Sequence, residues 1–140
     1  MQISNRFLSG YPMNGEWHMP DMDIVSAYID QRGREPIYGG QSSVNDLSAE
    51  RASQFGFTLF DSIEAALCCG GDTLDVDAVL MNGEHGDYEH NHLGQKLYPR
   101  HEWFGEIARV LEENERAIPV CARMLSRVSS AQHLCLANLR

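Results

Sequence analysis

The densest set of chemically competent residues lies between positions 83 and 92. Gly83-Glu84-His85-Gly86-Asp87-Tyr88 is followed by Glu89, His90 and His92. Gly83 and Gly86 flank Glu84 and His85, so the backbone can turn tightly there. Histidine, with an unperturbed pKa of about 6.5, serves as a general acid or base near neutral pH. His85 fits that role, with Glu84 or Asp87 orienting it. The alternative is a polar loop whose Asp and His side chains hydrogen-bond their own backbone. The same stretch holds a metal-ligand inventory. Its spacing matches no zinc signature, however, and the helical geometry that puts two imidazoles on one face is absent. No metal is expected.

Two further positions can meet a ligand. Asp30 closes the apolar run Ile24-Val25-Ser26-Ala27-Tyr28-Ile29. In dinucleotide-binding folds an acid at the end of such a strand hydrogen-bonds a ribose hydroxyl; otherwise Asp30 caps a turn. Tyr98 and Arg100 lie in Gln95-Lys96-Leu97-Tyr98-Pro99-Arg100 and can face a ligand; alternatively Leu97 and Tyr98 staple the entry of the helix that follows, with Pro99 near its first turn. The staple is expected for Leu97, and Tyr98 and Arg100 stay open between the two. Met13, Trp17, His18 and Met19 read as packing residues. Ser42, Ser43 and Ser62 have no histidine partner at a recognised spacing, so no hydrolase triad is argued.

These residues must be positioned by a framework, and the chain punctuates one clearly. A short helix is predicted over residues 2–9, then a polar loop from Gly10 to Pro20. Met22 to Ile29 reads as a buried parallel strand. A long loop covers 31–44. Asn45 or Asp46 can cap a helix that runs to Phe55 and stops at Gly56. Thr58 to Phe60 is a very short strand. Asp61 with Glu64 resembles a capping box for a helix through Cys69. Val76 to Met81 is a second buried strand. A polar loop covers 83–100. His101 to Glu115 is a helix with an apolar stripe of Phe104, Ile107, Ala108 and Leu111. Ile118 to Cys121 is a last short strand. Strands alternating with helices imply an α/β fold with a mostly parallel sheet over residues 1–121. Residues 122–140 form a tail with no assigned structure.

The 140 residues carry a formal net charge of -9, with 43% hydrophobic and 22% charged residues. That is globular composition with enough chain for one core. The acidic balance and the scattered basic residues argue against nucleic acid or an anionic membrane as partner. No membrane helix or signal peptide is expected. Cys68, Cys69, Cys121 and Cys135 form no CxxC pair and no disulfide framework, which points to reduced thiols in a cytoplasmic protein.

Several segments, taken in order, carry a resemblance: RFLSGY (Arg6 to Tyr11), VSAYIDQ (Val25 to Gln31), NDLS (Asn45 to Ser48), GGDTLDVDAVL (Gly70 to Leu80), and GEHGDY with GQKLYPR between Gly83 and Arg100. The chain resembles a group of largely uncharacterised bacterial proteins. That group in turn resembles the N-terminal Rossmann domain of the glucose–fructose oxidoreductase / inositol dehydrogenase superfamily. The resemblance implies a Rossmann-like three-layer fold and NAD or NADP as cofactor. It places Asp30 at the ribose, and Gly83 to Gly86 beside the reacting end of the site. Against the family pattern, the first strand and its glycine loop are missing, no GxGxxG occurs, Cys121-Ala122-Arg123 stands where Glu-Lys-Pro is usual, and the second domain is absent. On this resemblance the chain is expected to be a truncated, oxidoreductase-like nucleotide-binding domain, incomplete at its N-terminus. Without the first strand, its neighbours in the sheet are expected to pair with each other or with another chain, which predicts a homo-oligomer. Two other readings stand beside it: a non-catalytic remnant or self-associating module, and a metal-assisted hydrolase built on residues 83–92.

Overall fold

The computed structural model describes residues 3–30, 48–82, 88–123 and 135–139. It is a mixed α/β structure with a five-stranded sheet and a separate two-stranded one. Helix α1 (Ile3–Ser9) leads into a hairpin of β1 (Tyr11–Met13) and β2 (Glu16–His18), where a polar loop was expected. The turn between them is Asn14-Gly15, with φ of 53° and 85°. Two successive positive φ values give the turn whose twist matches antiparallel strands, and Asn-Gly is its preferred pair.

The main sheet begins with β3 (Ile24–Tyr28), followed by α2 (Ser48–Phe55) and β4 (Thr58–Phe60), which pairs parallel to β3. Helix α3 (Ile63–Leu67) then crosses to β5 (Ala78–Asn82), and α4 (Arg100–Glu113) to β6 (Val120–Arg123), which pairs parallel to β5. The N-cap of α3 is Ser62, whose Oγ accepts from the Ala65 N–H, and not Asp61. The predicted caps of α2, Asn45 and Asp46, lie outside the described residues.

The tail supplies the element that its sequence did not announce. Strand β7 (Cys135–Leu139) inserts between β3 and β5, antiparallel to both, giving the order β4-β3-β7-β5-β6. The facing edges of β3 and β5, expected to pair with each other or with another chain, are both laddered to β7. This follows from the cost of burying unpaired backbone groups: any strand that fits the slot recovers their hydrogen bonds. Ile24 pairs with Leu139 and Ser26 with Asn138, so Val25 is an extra residue on β3.

That bulge sets which way β3 faces. Ile24 and Ala27 join Leu80, Phe57, and Phe7, Leu8, Ala52 and Phe55 from α1 and α2. Val25 and Tyr28 instead join Val79, Met81, and Ile63, Leu67, Trp103, Ile107 and Val110 from α3 and α4. Buried Ser26 donates its hydroxyl to the Ala66 carbonyl of α3 at 2.6 Å. On α4 the buried residues are Trp103, Ile107 and Val110, whereas Phe104, expected in the stripe, is 49% exposed. Arg109 ties the two helices by pairing with Glu64 of α3 and Glu113 of its own helix, both at 2.7 Å. Among the described residues, no helix is long and apolar enough to cross a membrane.

Candidate functional site

The carboxyl ends of β3 and β5 lie side by side across the end of β7, since Tyr28 pairs with Leu136 and Asn82 with Cys135. From β3 the chain goes to β4 on one side; from β5 it goes to β6 on the other. Their carboxyl ends thus flank the point where the strand order reverses, the usual ligand position in open α/β sheets.

Asp30 sits at this place, two residues beyond β3. Its Oδ1 accepts the Tyr28 hydroxyl at 2.8 Å and its Oδ2 accepts the Tyr88 hydroxyl at 2.7 Å. Tyr28 comes from β3 itself, whereas Tyr88 comes from the segment after β5, 58 residues along the chain from Asp30. The second bond therefore ties the segment that follows β5 to the end of β3. Both tyrosine rings are half-buried against the cluster of α3 and α4 while their hydroxyls reach the half-buried carboxylate. Bonds from a hydroxyl to a charged acceptor are short and about twice as strong as neutral ones. The node is a substantial local tie.

Tyr88 is held from its other side as well. It meets Tyr98 edge-on at 5.5 Å and Trp103 edge-on at 6.0 Å. The Arg100 guanidinium stacks over the Tyr98 ring, 4.6 Å from its centre. Arg100 is the first residue of α4 and Pro99 is its cap. Between Tyr88 and Pro99 the chain folds on itself through a His90–Lys96 bridge. There the Asn91 carboxamide oxygen accepts the N–H groups of Leu93 and Gln95. Leu97 is exposed and does not staple the helix entry; it is Tyr98 that turns inward.

The site residues expected from sequence thus separate into two groups. Asp30, Tyr98 and Arg100 belong to one chain of contacts, Asp30–Tyr88–Tyr98–Arg100. Gly83, Glu84, His85 and Gly86 lie outside the described residues, as does Asp87. Among the described residues, no group of three or more His, Cys, Asp or Glu side chains is placed to hold a metal. Tyr28 and Tyr88 were not foreseen as site residues. The hairpin residues Met13, Trp17 and Met19 were expected to pack but are exposed, although the Trp17 indole N–H donates to the Ser9 carbonyl at 3.0 Å.

The resemblance implies a dinucleotide, and the central strand tests the fit. A pyrophosphate is held by N–H groups where a parallel central strand turns into a helix. Here the central strand is antiparallel and meets the carboxyl edge of the sheet with its first residue, Cys135. Among the described residues Asp30 is the acid placed for a ribose, and no turn from the central strand into a helix is there to take a pyrophosphate. Comparison with models of known protein families, with curated proteins and with solved structures gives no match for this chain.

Proposed function

We propose that the chain is a Rossmann-like, three-layer domain of oxidoreductase-like, NAD(P)-type ancestry whose remaining binding capacity is for a ribose-bearing nucleoside or mononucleotide. The observation that carries this reading is Asp30, an acid just beyond β3 at the point where strand order reverses. It is supported by the core clusters, one holding α1 and α2 and the other α3 and α4. Tyr98 and the Arg100 guanidinium stacked on it give a base an aromatic and cationic wall. No hydride-transfer step is assigned.

Thermal unfolding with adenosine, AMP, NAD(H) and NADP(H) tests the reading. A ligand at 100 times its Kd stabilises by about 2.7 kcal/mol, a rise of roughly 8–13 °C for a domain of this size. Adenosine and AMP are expected to shift the transition, and the dinucleotides no more than AMP. Asp30→Ala should abolish the shift. Much tighter binding of NAD(P) than of AMP would refute the restriction to a nucleoside or mononucleotide.

A second reading is favoured by one observation: both oxygens of Asp30 already hold tyrosine hydroxyls. A non-catalytic domain would use that node as a structural tie. It predicts no response to any nucleoside and a loss of stability in Asp30→Ala.

A further inference from the structure

A ribose offers two adjacent hydroxyls, and a carboxylate that recognises it accepts one on each oxygen or both together. Asp30 already shows that pattern without a sugar: one hydroxyl at 2.8 Å on Oδ1 and one at 2.7 Å on Oδ2. The two donors differ in how they are held. Tyr28 is part of β3, which is paired on both sides, and lies two residues from Asp30, so the local chain keeps the two side chains within reach of each other. Tyr88 reaches Asp30 from a segment 58 residues further along the chain, and its ring rests edge-on against Tyr98 and Trp103. A change of tyrosine's χ1 from one staggered well to another moves its hydroxyl several ångströms while the backbone stays in place.

We propose that the Tyr28 and Tyr88 hydroxyls are internal substitutes for a vicinal diol, and that Tyr88 is the displaceable one, competing with an incoming ribose for Asp30. This inference rests on the nucleoside reading given above. A carboxylate has about four lone-pair positions. Tyr28 therefore keeps its bond while the sugar's hydroxyls take the place of Tyr88 and one further position. The Tyr88 hydroxyl is released from Asp30 as the sugar enters. Binding then costs one charge-assisted hydrogen bond within the protein, and affinity for nucleosides is set low by the chain itself.

Calorimetric titration with adenosine and 2′-deoxyadenosine on the full chain, its Tyr88→Phe variant and its Asp30→Asn variant tests this. Tyr88→Phe keeps the ring and its aromatic contacts but removes the competing hydroxyl, and circular dichroism checks that it folds. Adenosine is expected to bind Tyr88→Phe about tenfold more tightly than wild type, the weight of one such bond. 2′-Deoxyadenosine, with no adjacent diol, should gain little. Asp30→Asn should lose adenosine in either background. Asp30-dependent adenosine binding that is unchanged or weaker in Tyr88→Phe overturns the competition and leaves the nucleoside reading standing. No adenosine binding by either wild type or folded Tyr88→Phe overturns both.

Discussion

Placing a proline at position 137 puts the central strand to the test. Ala137 pairs with Ala27 of β3 on one side and with Leu80 of β5 on the other. In an antiparallel ladder a residue's N–H and C=O point to the same neighbour, so proline here deletes one inter-strand bond and leaves its acceptor facing the ring. The lost bond contributes about 1 kcal/mol net, and a buried carbonyl without a donor costs roughly 1–3 kcal/mol more. The ring cannot be moved to solvent, because β7 has neighbours on both sides. The sum is about 2–4 kcal/mol. For a chain of this length each kcal/mol is worth roughly 3–5 °C, so Tm should fall by about 6–20 °C in a thermal melt followed by far-ultraviolet circular dichroism. Removing residues 124–140 should do more, because every paired position on either side of β7 goes at once, and it should expose the β3 and β5 edges to self-association visible in light scattering. A melt of Ala137→Pro within 2 °C of wild type would refute the placement of β7 in the sheet.

Further outcomes follow from the packing. Ile107→Ala removes a fully buried side chain between α4 and the sheet and should destabilise by about 2–5 kcal/mol in urea titration. Ser62→Ala deletes the side-chain cap of α3 and should cost about 1 kcal/mol by the same assay. Cys121 is exposed whereas Cys68 is buried. Burial, with Glu64 and other nearby acids adding to it, pushes the Cys68 thiol above its ordinary value of 9.0. Alkylation mapped by mass spectrometry should therefore label Cys121 well before Cys68. Because its folded value is the higher one, the Cys68 contribution to stability is complete below pH 9 and is lost as pH rises through the folded-state value. Replacing Cys68 by Ala should flatten that alkaline decline. Gly15→Ala meets no neighbouring atom, yet Gly15 has φ of 85°. It should loosen the hairpin by about 1 kcal/mol through backbone strain alone, read from Trp17 fluorescence.

Local signals carried far in this chain, and their failures are instructive. The runs that became β3 and β4 are apolar, short and bounded by turn residues, so periodicity and punctuation located them. Asn14-Gly15 was an equally strong hairpin signal, but the strands beside it are only three residues long, too short to show an apolar alternation. On α4, Phe104 and Trp103 are neighbours, and only contact with Tyr88 and the α3 cluster decides that the tryptophan turns in. The Ser26–Ala66 bond and the bulge at Val25 depend on partners that no local pattern specifies. The candidate site divides in the same way. An acid after a strand is visible from sequence, and Asp30 was found on that ground. Tyr28 looks like an ordinary strand residue, and Tyr88 like part of a polar loop. Their role appears only when two strands separated by a third bring them to one carboxylate.

The position of β7 also governs the order in which the sheet can form. Its two parallel pairs, β4 with β3 and β5 with β6, are joined in the ladder only through β7, which comes last in chain order. The pairing of Ile24 with Leu139 closes one of the longest loops the chain permits. Such closure is paid in entropy before any contact rewards it, and it slows folding. During synthesis two half-sheets can form early, each with one raw edge, and wait for the strand that stitches them. The interval before that stitch is when the chain is most exposed to aggregation, and when a chaperone would have most to hold.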